Sequence, residues 1–368
     1  MDDAAAAPDA VFDGHNDTVL RLELAARAGK PRAFAVNDLQ ARTDGEERSG
    51  FRARPLDIDL PRAAQGGFAG GLFAMFTPSG NGRSGSDETP DDVVQDGVVN
   101  QATALAFTTA LFARLRQLAR AHPERFSLAY TAGEVRAAMA EGRVAAVPHI
   151  EGAECIDTDL AALEVLYAAG LRSLGPVWSR PNAFGHGAPM AAQTDLEPGE
   201  GLTEAGRALV AACEAMGILI DCSHLTEKGF WDVAAVTDQP LVASHSNAHA
   251  ISPSARNLTD KQLDAVAERG GLVGLNFHVS FLRPDCRHDR DTEIAVMLRH
   301  LDHLVARLGE DGVALGSDFD GCLLPRAIGD VSGLPKLFAA MREAGFGEAL
   351  VAKIARENWL RLLDRVIG

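Results

Sequence analysis

Eight short apolar runs recur along the chain, and the stretches between them mostly carry apolar residues at helical spacing. The runs are AVFDGHND from Ala10, GGLFAMFT from Gly70, VAAVPHIEG from Val144, LRSLGPVW from Leu171, GILIDCSH from Gly217, PLVASHSNA from Pro240, GLVGLNFH from Gly271 and GVALGSDFDG from Gly312. They read as strands. TEAGRALVAACEAMG and DKQLDAVAERGG instead start near Thr or Asp caps and stop at Gly, as helices do. Strands alternating with helices predict a parallel sheet, and eight such units are what a TIM-like (β/α)8 barrel requires. The expectation is an α/β fold, one barrel domain over residues 1–368, with loop insertions near 79–92 and 183–202 at the mouth. The last run, EALVAKIARENWLRLLDRVIG, reads as a closing helix.

Catalytic groups of such barrels stand at the C-terminal ends of the strands, so the residues that end each apolar run carry the information. The first run ends in His15 and Asp17, the third in Glu151, the fifth in His224, the sixth in His245 and the eighth in Asp318. Strand alternation puts Asp13, His15 and Asp17 on one face. Taken singly, His224 also reads as a helix cap and His245 as a core imidazole. Together, three imidazoles and three carboxylates at apolar strand ends are an electrostatic burden that cations relieve. Imidazole and carboxylate without thiolate favour zinc, with manganese or cobalt as alternatives, and a Glu bridging two ions would hold them roughly 3.5 to 4 Å apart. His149, one layer below Glu151, reads as a support, and Asp13 as the group that orients His15 or pairs with a barrel cation. Asp318 and Asp320 share a face, one placed for catalysis and the other for orienting loops.

Composition narrows the partners. The chain is 46% hydrophobic and 23% charged, and 51 acidic against 35 basic residues give a net charge of −16. That charge opposes nucleic acid and anionic membranes. The start, MDDAAAAPDA, lacks the basic region of a signal peptide, and no apolar stretch is long enough to span a bilayer, so the expected location is the cytoplasm. Five scattered cysteines without a CxxC pair suit reduced thiols. A homodimer is left open.

DGHND, DLPRAAQGGFAGGLFAMF, HIEG, LIDCSH, ASHSNAHAISPSARNLTD, GLVGLNF and GSDFDG stand in the order of the motifs of the membrane (renal) dipeptidase family, binuclear zinc peptidases of the amidohydrolase-like group. The chain resembles that family through most of its length. The resemblance implies two zinc ions per chain, one on His15 and Asp17, the other on His224 and His245, with Glu151 bridging both. It makes Asp318 the acid/base residue and Arg256, in SARN, the group that grips a substrate's free carboxylate. The implied reaction is hydrolysis of dipeptides, L-Xaa-D-Xaa included. Animal members carry a His after the fourth strand, thought to polarise the scissile carbonyl. Here LGPVWSRPN offers Trp178 at that point, so either the second zinc takes the whole load of polarising the carbonyl or a nearby group such as Arg180 or Asn182 substitutes. Two other readings compete: an N-acyl-amino-acid amidohydrolase or lactonase with the same metals, and a catalytically silent binding module.

Overall fold

The structure is a computed structural model that describes residues 9–27, 55–79, 99–192 and 199–368. All eight apolar runs contain strands. In chain order the strands are β1 (Val11–Asn16), β2 (Phe68–Phe76), β3 (Phe126–Leu128), β4 (Val144–Glu151), β5 (Ser173–Gly175), β6 (Leu219–Ile220), β7 (Val242–Ala243), β8 (Leu272–Leu275) and β9 (Val313–Leu315). β3 has no counterpart among the apolar runs. Its three residues are too few to show a period of two.

Every named strand pair is parallel, giving an α/β fold with a curled sheet. One ladder runs β1-β2-β4-β5-β6, with β3 on the start of β4, and a second runs β7-β8-β9. Single bridges pair Asp221 with Val242 and Asn16 with Phe319, between the facing ends of the two ladders. Phe12, Leu72, Val147, Val242, Leu272 and Ala314 pack into one buried cluster inside this curl. The larger apolar cluster lies between the strands and the surrounding helices.

The C-terminal run closes the floor. Two helices, Glu348–Ala352 and Asn358–Val366, flank a π turn at Lys353–Glu357. Asn358 donates its side-chain amide to Glu310 O and Val313 O, each at 2.8 Å, and the fully buried Trp359 donates its indole N–H to Leu315 O at 2.9 Å. These bonds give donors to carbonyls just before and along β9, where a carbonyl buried without a donor would be costly. Any carbon added at Gly14 would lie 2.5 Å from the Trp359 ring and 2.4 Å from Ser244 O, so β1 can pass over the plug only with glycine there. The floor is thereby filled with apolar groups, and the polar strand ends collect at the opposite mouth.

Helix starts follow closely on the strand ends. Thr226, two residues past His224, caps helix Glu227–Val236 through Gly229 N. Thr259 caps helix Asp260–Glu268 in a reciprocal box with Gln262. The segment between β7 and Thr259 is therefore pinned at both ends, and it carries Arg256. Of the expected insertions, residues 80–92 and 193–198 lie outside the described residues. The remainder of the second one crosses the mouth, with Gly187 bridged to Leu225 and Ala192 to Ser254. Among the described residues, no helix is long and apolar enough to cross a membrane.

Candidate active site

His15, Asp17, Glu151, His224, His245 and Asp318 converge at the mouth from β1, β4, β6, β7 and β9. Glu151 is the hub. Its Oε1 lies 2.9 Å from His224 Nε2, 3.6 Å from His245 Nε2 and 3.7 Å from His15 Nε2. His15 Nε2 is 3.4 Å from Asp17 Oδ2, and the two Nε2 atoms of His224 and His245 stand 3.0 Å apart. The His15 and His245 rings overlap with centroids 3.9 Å apart. Donor atoms of His15, Glu151 and His245 lie within 4.8 Å of one another, as do those of His15, Asp17 and Asp318. Two of these residues leave their strands through left-handed backbone, with φ of 68° at His224 and 61° at Asp318, a conformation uncommon outside glycine and concentrated at functional sites.

The cluster holds more charge than burial tolerates. Burial pushes Glu151 well above the carboxylate range, against the opposing pull of His15. Burial also drives Asp318 up to about 6, again opposed by His15. Burial depresses His15, but Glu151 and Asp17 outweigh it and carry that imidazole up to about 10. Burial, then Arg256 for one ring and His15 for the other, holds His224 and His245 well below the usual imidazole value. Both ring nitrogens of His15 and Asp17 Oδ1 are buried without a hydrogen-bond partner. Unpartnered imidazole nitrogens and carboxylate oxygens facing one another in a dry pocket are the donor set of a divalent metal, which would take the place of the ring protons, and they fit one.

Other residues hold these groups in place. Ser179 Oγ lies 2.8 Å from His224 Nδ1, and Ser244 Oγ lies 2.8 Å from His245 Nδ1. Asn276 donates its amide to Asp318 Oδ2 at 3.0 Å. Sequence reasoning missed Asn276, although it ends the GLVGLN run as the acids end theirs. His149 lies one layer below Glu151 on β4. Its Nδ1 lies 2.9 Å from Ser173 Oγ, its ring stands edge-on to His15, and burial holds it down at about 3, so it stays neutral. Asp320 accepts from Thr18 Oγ1 and Asp57 N, both at 2.8 Å, and so ties loops together.

Asp13 behaves otherwise than expected. Its hydrogen bonds do not go to His15: its two oxygens accept from Ser317 N at 2.7 Å and Ser317 Oγ at 2.8 Å. It stitches β1 to the turn after β9. Asn182 is not brought to the cluster. Its amide donates to Pro176 O, and its Oδ1 accepts from Phe184 N and Gly185 N, so its polar atoms are consumed by its own turn. Arg180 is locked as well, bonded to Glu154, Ser79 and Thr77 O beneath the Phe76 and Trp178 rings. Trp178 does border the site, its ring 5.8 Å from that of His224. Arg256 is buried, with Nη2 donating to His245 O at 3.3 Å and Nε without a partner. It lines a cavity of about 210 Å³ together with His224, Ser246, Cys222 and Leu258.

Gly321 closes over the acids. A methyl group there would come 2.2 Å from Asp17 Oδ2 and 2.3 Å from Asp318 Oδ1. Gly321→Ala is expected to lower kcat/KM by roughly one to two powers of ten, since misplacing reacting groups by about 1 Å costs that much, with the far-UV circular dichroism unchanged. Wild-type kinetics would mean that the loop yields instead.

Buried imidazoles and carboxylates gathered at the mouth of a parallel α/β sheet define the class: a metal-dependent hydrolase. The sequence model of the membrane dipeptidase family (peptidase family M19) matches residues 6–367, and the chain belongs to that family. It is a metallo dipeptidase, a hydrolase of peptide bonds. The structure superposes on the metallo peptidase called dipeptidase AC with a TM-score of 0.86 at 47% identity, covering 98% of this chain and 99% of that one. A metallo peptidase from Rhodobacter sphaeroides, liganded with a phosphinate mimic of the dipeptide L-Ala-D-Ala, gives 0.87 at 46% identity with the same coverage. An uncharacterized protein from the pqqA 5' region of Klebsiella pneumoniae is 45% identical over 252 residues, 68% of this chain and 93% of its own length.

Proposed function

We propose that the chain is a two-zinc dipeptidase that cleaves unblocked dipeptides, those with a D-residue at the C-terminal position included. The observation that carries this reading is the convergence of three imidazole Nε2 atoms within 3.7 Å of one carboxylate oxygen, Glu151 Oε1. Five donor residues exceed what one zinc takes at its usual four-coordinate geometry. His15 and Asp17 would hold one ion, His224 and His245 the other, and Glu151 both; manganese or cobalt suits the same donors. Bound there, the metals would polarise the peptide carbonyl and make water acidic enough to attack at neutral pH. Asp318, steadied by Asn276, takes the proton of the attacking water and returns it to the leaving amine. Trp178 and Phe76, with ring centroids 4.9 Å apart, wall the site beside His224 and exclude bulk water.

Closure of the two ladders into a (β/α)8 barrel is part of the same reading, supported by the bridges Asp221–Val242 and Asn16–Phe319. So is a cytoplasmic setting, supported by five cysteines that form no disulfide with one another.

Arg256 takes the substrate's terminal carboxylate. Its unpartnered Nε and its weakly engaged Nη2 lie on one edge of the guanidinium, the edge that grips a carboxylate with two parallel bonds. Because the clamp fixes the carboxylate and not the side chain beside it, either configuration at that residue is accommodated, in keeping with the L-Ala-D-Ala mimic held by the Rhodobacter sphaeroides relative. Arg256→Lys is expected to lower kcat/KM for free dipeptides by roughly one to two powers of ten, the scale of a lost charge-assisted bond. Amidated dipeptides should already be poor substrates and change little. Equal loss on both would remove Arg256 from the site.

A panel of L,L and L,D dipeptides, free and N-acetylated, run on zinc-loaded protein tests the proposal. Turnover of the free dipeptides is expected. Preference for the acetylated ones would favour the acyl-amidohydrolase reading, and no turnover the silent binding module.

A further inference from the structure

We propose that Asp221 is a positioning residue for the metal centre, setting through Ser244 which ring nitrogen His245 offers to an ion; this rests on the two-metal reading above. Asp221 closes β6 and is buried, and its two oxygens have different duties. Oδ1 accepts from Ser223 N at 3.0 Å and from Ser244 N at 2.8 Å, which fixes the chain after β6 against the end of β7. Oδ2 accepts from the Ser244 hydroxyl in a short bond. With its hydrogen given to Asp221, Ser244 Oγ can only accept from His245, at 2.8 Å from Nδ1. Nδ1 must then carry the ring proton, and Nε2, facing Glu151 and His224, keeps its lone pair for a metal. His224 and Ser179 form a shorter version of the same arrangement, with no carboxylate bonded to the serine among the described residues. The control by a carboxylate therefore acts on one half of the site.

The arrangement makes two substitutions unequal. Ser244→Ala deletes the acceptor and leaves His245 free to take either tautomer. Asp221→Asn does more than weaken a bond. Its single oxygen remains claimed by the two backbone N–H groups, so its NH2 faces the Ser244 hydroxyl and donates to it. The serine hydrogen must then turn to His245 Nδ1 or to Ser223 Oγ, and the latter is the longer reach at 3.4 Å. Turned to Nδ1, it forces the proton onto Nε2, the nitrogen that should bind metal.

The test is a chelator-competition titration of zinc on the full chain, with the visible spectrum of the cobalt-substituted protein as a second readout. Wild type is expected to bind two ions. Ser244→Ala should weaken one of them by about tenfold and Asp221→Asn by about a hundredfold, the range for lost partners of metal ligands. The other ion should keep its affinity, and the cobalt bands of one site alone should change. If Asp221→Asn fails to fold by circular dichroism, Ser244→Ala decides alone. Wild type binding two ions while Ser244→Ala binds both unchanged would overturn this proposal and leave the metal reading standing. So would equal weakening of both ions, which indicates a merely structural role. Wild type binding no ion would overturn both.

Discussion

Glu151→Gln should abolish metal retention and lower kcat/KM on dipeptides by at least about a thousandfold, the scale of removing a principal electrostatic stabiliser together with a metal ligand. The substitution keeps the shape of the side chain and changes only its charge and half its acceptors. Three imidazole nitrogens face the Glu151 carboxylate within 3.7 Å, and two of them, on His224 and His245, are held neutral by burial and neighbouring cations. A carboxylate offers an anionic oxygen to each of two cations. An amide offers one neutral oxygen and turns an NH2 toward the other, which cannot ligate. Elemental analysis after desalting, with circular dichroism as the control for folding, checks the outcome. Retention of both metals with activity within a factor of ten would remove Glu151 from its bridging role.

Asp318→Asn separates proton transfer from metal binding. The Asp318 carboxyl, half-buried and pushed up to about 6 by its surroundings, sits within reach of both His15 and Asp17, so geometry alone allows it to be a ligand or a base. Asn276 occupies one of its oxygens, leaving the other facing Asp17 and Gly321. An amide in its place would turn its oxygen to Asn276 and its NH2 to the site, where it can neither accept nor return a proton. The expected result is full metal content with kcat lowered by about 10² to 10⁴, the usual contribution of general acid–base catalysis. Loss of metal along with turnover would make Asp318 a ligand, and unchanged kcat would place the base elsewhere.

The features legible in the sequence were those written locally. Apolar runs that stop at an acid or an imidazole mark strand ends, and the two-residue period of a strand put His15 beside Asp17. Features that depend on partners from distant strands were not legible. Ser179, Ser244 and Asp221 are ordinary polar residues until folding sets them against His224 and His245. Asp13 shares a face with His15, but its neighbour Ser317 arrives from 304 residues away and claims both oxygens. Asn182 carried a local signal of a different kind. It follows Pro181, and an Asn that accepts from the amide two residues on is a turn former, which accounts for its absence from the site. The family resemblance supplied the roles of the cluster's residues, and the fold supplied their convergence.

The measurement that bears most directly on the central claim is the metal content of zinc-loaded, desalted protein, determined by elemental analysis against protein concentration. Two zinc ions per chain are expected, both lost to a chelator together with dipeptide hydrolysis and both restored with it. One ion per chain, or hydrolysis that persists after all metal is removed, would contradict the account.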